Sequence, residues 1–217
     1  MQTLKSIYQS HFKSLSFLIL ALGFSCASLL ARIKLNKSIF YLFLVWNIFL
    51  ALVPYFLTVY LSSKEQLSRF KFLVIGAIWL LFLPNAPYII TDFVHLKVSN
   101  SYLWWIDILV LLSFSLTGLY LFYASLHQME ILINKYFKRI PIKAFRITIF
   151  FLCGFGVYLG RFLRFNSWEI LSQPQDIIFE ILNIIFHPFQ HTEAWWFTFG
   201  FGVFLFVGHF GIYKSNN

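Results

Sequence analysis

A short stretch before the middle of the chain combines residue types that can transfer protons. Four polar side chains follow one another at intervals of three, four and three residues: Asn85, Tyr88, Asp92 and His95. On an α-helix this spacing puts them on one face. A carboxylate and an imidazole three residues apart can share a proton, so Asp92 and His95 are the candidate catalytic residues. Asn85 and Tyr88 are candidate substrate-binding residues. The alternative is that Asp92 and His95 are simply solvated at a helix end.

Two prolines, Pro84 and Pro87, interrupt the chain at the start of this stretch. Proline has no backbone N–H, so a carbonyl one turn earlier loses its helical partner. Inside a membrane such a break is tolerated where protein or water satisfies the backbone. The prolines therefore fit either a kink at a helix end or a broken helix that lines a substrate path.

A second polar group contains two arginines and a tryptophan, Arg161, Arg164 and Trp168. If the helix continues past Gly160, the three side chains share a face. Two guanidinium groups would then form a fork for phosphate or carboxylate, which makes all three candidate substrate-binding residues. Two other interpretations stay open. The arginines can be interfacial residues anchored beside Trp168, or one of them can form an ion pair with Asp92.

A weaker pattern, His187, His191 and Glu193, contains the residue types of a zinc site. Two histidines four residues apart bind Zn²⁺ together if they lie on one helix. Pro188 lies between them and is typical of the start of a new helix. We therefore predict no metal site and keep these three residues as weak candidates. The sequence does not identify a cofactor.

The composition predicts that lipid surrounds the elements carrying these residues. The chain has 217 residues, of which 59% are hydrophobic and 12% are charged. Soluble domains carry about 25% charged residues. The net charge of +9 comes from lysines and arginines in short clusters between apolar runs. That distribution is typical of membrane orientation rather than of a nucleic-acid-binding face, so we exclude nucleic acid as a partner.

Apolar runs long enough to cross a bilayer predict an all-α, polytopic transmembrane bundle of about six spans. The runs are Ser14–Ala31, Ile39–Leu61, Phe72–Ile90, Tyr102–Ala124, Ile147–Gly160 and Ala194–Tyr213. No soluble domain interrupts them, so residues 1–217 are predicted to form a single integral membrane domain. The inner halves of the spans are expected to be almost wholly apolar.

Between spans five and six, Gln175 to Phe186 predicts a short amphipathic helix in the outer membrane interface. Its acidic polar face argues against docking on anionic lipid. A re-entrant segment is the alternative.

The distribution of lysine and arginine predicts the orientation. Eleven of these residues lie on the side of the two termini and six on the other side, so both termini are expected in the cytoplasm. The first loop, with Arg32, Lys34 and Lys37, disagrees with this assignment.

In this orientation both polar motifs face outward, and we predict that Asp92 lies near Arg161 or Arg164. Asp107 follows the start of span four closely, where water is expected to reach it.

Two runs of residues resemble the signature of a known family. They are Leu83-Pro84-Asn85-Ala86-Pro87-Tyr88 with Thr91-Asp92 and His95-Leu96, and Leu159-Gly160-Arg161-Phe162 with Arg164-Phe165-Asn166-Ser167-Trp168. The family is the bacterial membrane-protein family known as domain of unknown function 1361. The resemblance covers nearly the whole chain and implies a small multi-pass protein of the bacterial plasma (inner) membrane. It implies no reaction. The polar residues therefore match motif positions of the family, and the resemblance assigns them no catalytic role.

These residues are compatible with three functions, and the sequence does not decide whether the protein is an enzyme. The first is a membrane-embedded enzyme with an outward-facing polar site for a lipid or lipid-linked anionic substrate. Asp92 or His95 would be its general base, with Arg161 and Arg164 holding the anionic group. The second is a non-catalytic assembly or scaffold protein, as a homo- or hetero-oligomer. The third is a small transporter using the proline-broken third span, which ranks lower because the inner halves look apolar.

Overall fold

The computed structural model describes residues 2–64, 66–98, 104–165, 167, 169–172 and 174–213, all of it helix, turn or coil. The six predicted spans are confirmed. Helices of sufficient length and apolar character cover Ser14–Asn36, Phe40–Ser62, Arg69–Leu96, Trp104–Tyr136, Ile142–Arg161 and Thr192–Gly211. The chain is therefore an all-α, multi-pass integral membrane protein. It forms two compact units, Met1–Leu132 and Ile133–Asn217, and the single domain over residues 1–217 stays a prediction.

Over its described residues, the first unit contains five α-helices and two 3-10 helices. In chain order they are α1 (Gln2–Asn36), a 3-10 helix (Phe40–Leu42), α2 (Phe43–Ser62), α3 (Arg69–Phe82), α4 (Asn85–Tyr88), a second 3-10 helix (Ile89–Val98) and α5 (Trp104–Tyr136). The last residues of α5 belong to the second unit. Helix α3 starts where the Ser68 side chain accepts a hydrogen bond from the backbone N–H of Lys71, which caps the helix.

Helix α5 is the most buried of the six spans. Its polar side chains bond to α1, α3 and the second 3-10 helix. The pairs are Ser25 with Thr117 and Ser28 with Ser113, both at 3.3 Å, Trp79 Nε1 to Ser125 Oγ at 2.8 Å, and Ser115 Oγ to the Ile89 carbonyl at 3.2 Å. Because lipid gives no hydrophobic drive between helices, such small polar contacts and close packing hold a membrane bundle together. The first unit is thus assembled around α5.

Buried polar side chains lie toward the ends of α2 and α5 away from the Asp92 motif, and the expectation that the inner halves of the spans are almost wholly apolar stays a prediction. Away from the Asp92 motif, Tyr55 and Thr58 on α2 are buried, and so are Ser125, Gln128 and Glu130 on α5. Tyr55 and Thr58 lie within the apolar run Ile39–Leu61, whereas Ser125, Gln128 and Glu130 follow the run Tyr102–Ala124. The interior of a bundle tolerates such groups because neighbouring helices supply partners.

In the part of the second unit that the structure describes there are four helices: α6 (Ile142–Arg161), α7 (Glu169–Ser172), α8 (Pro174–Phe186) and α9 (Thr192–Tyr213). Helices α6 and α9 pack closely because glycine lies at their contact. A Cβ added to Gly154 of α6 would lie 2.7 Å from the carbonyl oxygen of Thr198 on α9, and one added to Gly202 would meet the Phe151 ring. Such close backbone approach is the usual way in which glycine drives helix association in membranes.

We expect Gly154→Leu to destabilise the protein by roughly 1–3 kcal/mol, because the added side chain meets backbone that must move. Gly200→Leu is the matched control, since a Cβ at Gly200 has nothing within 4 Å. The measurement is the thermal unfolding midpoint in detergent. Equal shifts for the two variants would contradict the close contact of α6 and α9.

Candidate functional site

The third span is broken where its sequence contains the two prolines. Helix α3 ends at Phe82, a turn over Leu83 and Pro84 follows, and the short α4 leads into the second 3-10 helix. The Asn85 side chain donates a hydrogen bond of 2.9 Å to the Phe82 carbonyl. Asn85 therefore satisfies one of the backbone groups near the break. The predicted interruption is confirmed, and Asn85 contributes to its stability.

Asp92 and His95 lie on the second 3-10 helix, where three residues make one turn, so both point the same way. The Asp92 carboxylate is 1% exposed, and its Oδ2 accepts a hydrogen bond of 2.8 Å from Nδ2 of Asn47 on α2. Nε2 of His95 lies 4.0 Å from Asp92 Oδ1. That distance allows electrostatic attraction but exceeds a hydrogen bond. The predicted proximity of the carboxylate and the imidazole is confirmed.

The prediction of one helical face for all four polar residues is wrong for Tyr88. The spacing of four between Tyr88 and Asp92 returns to the same face only in an α-helix. Here α4 ends at Tyr88 and the chain continues with three residues per turn. Tyr88 therefore leaves the face shared by Asp92 and His95, while it remains half-buried at the break.

Two phenylalanine rings hold the imidazole of His95. Its centroid lies 5.9 Å from that of Phe40 and 5.1 Å from that of Phe43, both in edge-on arrangements. These rings stand at the start of the second span. They restrict the rotation of an imidazole whose side chain is 32% exposed. His95 is thus fixed in direction and still reachable from outside.

A buried ion pair lies at the same end of the first unit. Nε of Arg32, near the end of α1, donates a hydrogen bond of 2.8 Å to Oδ1 of Asp107 in the first turn of α5. Its Nη1 donates at 2.7 Å to the Ser38 carbonyl. The expectation that water reaches Asp107 is wrong, since its side chain is fully buried. A charge at membrane depth is costly alone, so it pairs within the bundle.

Tyr41 connects the ion pair to the surroundings of His95. The Arg32 guanidinium lies 4.7 Å from the centroid of the Tyr41 ring. The same ring contacts Phe40 at 5.1 Å and Phe43 at 6.1 Å. Within the part of the chain that the structure describes, the buried Tyr41 hydroxyl has no hydrogen-bond partner. The guanidinium of Arg32 and the imidazole of His95 therefore contact one aromatic cluster of Phe40, Tyr41 and Phe43.

Sequence reasoning missed three members of this site: Arg32, Tyr41 and Asn47. Arg32 was counted among the loop charges, although it belongs to α1. One signal for Asn47 was present, because it is the only Asn, Gln or charged residue in the run from Ile39 to Leu61. Nothing in the sequence distinguished Tyr41 from the other tyrosines.

Close packing of α5 against the broken segment sets the position of the site. A Cβ added to Gly118 would overlap the carbonyl oxygen of Ala86 and lie 3.1 Å from Cδ1 of Ile89. Ala86 belongs to α4 and Ile89 begins the 3-10 helix that carries Asp92. Glycine at position 118 thus allows the backbone of α5 to touch the segment that presents the carboxylate.

We expect Gly118→Leu to lower stability by roughly 1–3 kcal/mol and to displace the Asp92 segment, because the added atoms meet backbone. Gly76→Leu on α3 is the control, since a Cβ there has nothing within 4 Å. Thermal unfolding reports the stability, and the reactivity of His95 with diethyl pyrocarbonate reports the displacement. Unchanged stability and reactivity in Gly118→Leu would show that the contact is not needed.

The second motif does not form the helical face that its spacing predicted. Helix α6 ends at Arg161, and Arg164 has a φ of 62°, a left-handed conformation that turns the chain away. The backbone N–H of Phe165 then bonds to the Leu159 carbonyl at 3.1 Å. The prediction that the two arginines share a helical face is therefore wrong. Trp168 lies outside the described residues. The contact of this motif with Asp92 stays a prediction, since the motifs belong to different units.

The weak metal candidates do not share a helix. Helix α8 ends at Phe186 and α9 begins at Thr192, so His187 and His191 lie on the turn between them and Glu193 lies on α9. The turn is closed by hydrogen bonds from the backbone N–H groups of Gln190 and His191 to the His187 carbonyl. Over the residues that the structure describes, no group of three His, Cys, Asp or Glu side chains is placed to hold a metal ion.

Comparison with known proteins identifies the family. No curated protein and no solved structure matches the chain. One family model, described as Protein of unknown function (DUF1361), matches residues 46–207. The match covers most of the chain and includes both polar motifs together with Asn47, while Arg32 and Tyr41 precede it. The chain is therefore a member of the DUF1361 family of proteins of unknown function.

Proposed function

We propose that this protein is a membrane-embedded enzyme that acts on a lipid or lipid-linked anionic substrate, with Asp92 and His95 as its proton-transfer pair. One observation carries the proposal, namely a buried carboxylate behind a partly exposed imidazole. Asp92 is held by Asn47 and shielded from solvent, while His95 beside it can be reached. A base oriented by a buried acid is the arrangement that many general-base enzymes use.

In this proposal each member of the pair has a separate role. His95 takes a proton from the attacking group of the substrate or from a water molecule. Asp92, on the Nε2 side of the ring, stabilises the imidazolium that forms, which leaves Nδ1 to face the reacting group. Asn47 fixes the carboxylate and is a positioning residue. Such pairs often shorten to a hydrogen bond only when substrate binds, which the separation of 4.0 Å permits.

The position of the pair supports a lipid as substrate. His95 lies near the end of the third span, so a reacting group at headgroup level is within reach of a molecule that diffuses in the membrane. Its neighbour Phe40 is also exposed and adds apolar surface beside the imidazole. Arg161 and Arg164 remain candidates for the anionic group on their residue type alone, because guanidinium binds phosphate or carboxylate in a forked geometry.

The proposal is tested with the full-length protein in nanodiscs made from total lipid of its native host. Mass spectrometry follows the lipid species over time for the native protein and for Asp92→Asn. We expect the native protein to consume at least one polar lipid, with a matching product, and Asp92→Asn to leave the profile unchanged. Asp176→Asn, an exposed carboxylate on α8, is the control. Identical profiles for the native protein and Asp92→Asn would refute the proposal.

A small transporter is the second candidate, because buried polar groups extend beyond the Asp92 site. Tyr55 on α2 and Gln128 on α5 are buried and lie toward the other end of the first unit. A path across a membrane needs such groups through its whole depth. In proteoliposomes, a proton or solute flux reduced by Gln128→Leu and by Asp92→Asn would favour this function over the enzyme.

A further inference from the structure

Helix α8 presents apolar side chains outward rather than toward the protein. Five of them are exposed: Ile178, Phe179, Leu182, Ile185 and Phe186. Phe179 is 71% exposed and Phe186 is 72% exposed. Phe189, just after the helix, is exposed as well. A patch of this kind on a protein surface marks an interaction site.

The residues of α8 divide into three faces. Ile177 and Ile184, seven residues apart, are buried and form a narrow contact with the protein. At about 100° per residue, the five exposed apolar side chains fall within an arc of about 120°. The polar residues Asp176, Glu180 and Asn183 occupy a different arc, which His187 continues directly after the helix. A helix with a thin protein contact, an apolar face and a separate polar face is built to lie along a membrane surface.

The depth of α8 follows from its contact with the spans on either side. Ile184 packs in one cluster with Tyr158, in the last turn of α6, and with Ala194, in the first turn of α9. Helix α6 has 20 residues, which is the length that crosses the hydrocarbon core once. The ends of both spans therefore mark the boundary between the hydrocarbon and the headgroups. The exposed face of α8 lies at that boundary.

The charges of α8 exclude anionic headgroups as the main attraction. From Pro174 to Glu193 the chain contains Asp176, Glu180 and Glu193 and no lysine or arginine. Helices that dock on anionic lipid carry Lys and Arg on their polar face. Here the apolar side chains alone supply the affinity, which favours acyl chains over headgroup charge.

We propose that α8 lies in one membrane leaflet, with Phe179, Phe186 and their apolar neighbours inserted among the lipid acyl chains near the headgroups. Its polar face then contacts headgroups and water. The helix anchors the connection between spans five and six to the bilayer. This inference is independent of the proposed enzymatic function, since it depends only on the second unit.

The test places single cysteines on the full-length protein after Cys26→Ser and Cys153→Ala. Phe179→Cys and Phe186→Cys probe the apolar face, with Asp176→Cys and His187→Cys as controls on the polar face. Each is labelled with an environment-sensitive fluorophore and reconstituted into phosphatidylcholine vesicles that carry bromine on their acyl chains. We expect several-fold stronger quenching at 179 and 186 than at 176 and 187. The strongest quenching should come from bromine close to the headgroup. This pattern should not change when anionic lipid is added.

Three results would overturn the proposal. Equally weak quenching by bromine at all four positions, together with quenching by iodide added to the water, would place the whole helix in solvent. Protection of 179 and 186 from both bromine and iodide would show that a second copy or another protein covers the face. Stronger quenching by bromine near the acyl termini than near the headgroups would make α8 a re-entrant segment.

Discussion

Removal of either charge of the Arg32–Asp107 pair is expected to destabilise the protein by about 3–5 kcal/mol, because the remaining charge is left buried without a partner. Both side chains are buried, and the hydrogen bond between them is 2.8 Å long. Asp107→Asn removes only the charge of the acid and nearly keeps its shape. Arg32→Ala also removes the contact with the Tyr41 ring and should be the more harmful change. Unfolding in mixed micelles measures both effects.

The double variant Arg32→Met with Asp107→Leu separates charge from packing. Replacement of a whole buried pair by apolar side chains is often close to neutral, so most of the lost stability should return. Arg164→Ala is the control, since Arg164 is exposed and should change stability by no more than about 0.5 kcal/mol. If the double variant is as unstable as Asp107→Asn, the loss of stability comes from packing and not from an uncompensated charge.

If the protein is the proposed enzyme, replacement of His95 by Gln is expected to lower the turnover of its lipid substrate by about 10²- to 10⁴-fold, the usual contribution of general acid–base catalysis. Asp92→Asn should cause a loss of similar size, because the carboxylate stabilises the imidazolium formed in the transition state. The effect should lie in kcat rather than in KM, since neither group is assigned to ground-state binding. Turnover measured in nanodiscs against substrate concentration gives both constants.

A double variant tests whether the two residues act as a unit. Asp92→Asn with His95→Gln should be no slower than the slower single variant, because removal of one member already disables the pair. Asn47→Ala should cause a smaller loss, since it frees the carboxylate without removing it. If the double variant instead lost turnover by the product of the two single losses, Asp92 and His95 would act independently.

The spans could be predicted from the sequence because the bilayer imposes a local rule. Each crossing needs about 20 apolar residues, and that length can be read without knowledge of any partner. The pairing of Asp92 with His95 was also predictable. Side chains three residues apart lie close together in an α-helix and point in the same direction in a 3-10 helix. The two residues therefore stay neighbours in either type of helix.

The fork of Arg161 and Arg164 shows where local spacing fails. Its geometry required the helix to continue, and nothing in the residue types revealed that Arg164 would adopt a left-handed backbone. The orientation count illustrates a related difficulty. Arg32 was counted as a loop charge against the predicted orientation, yet it lies in α1 and is neutralised by Asp107. The cytoplasmic location of both termini stays a prediction.

By itself the sequence determined that the chain consists of membrane-spanning helices, that two prolines interrupt the third of them, and that Asp92 and His95 are neighbours. Only the tertiary structure decided which groups surround them. Asn47 lies 45 residues before Asp92, and Arg32 lies 75 residues before Asp107. Such partners meet because helices pack through glycine and small polar contacts. The burial that packing creates then makes a paired charge far less costly than a lone one.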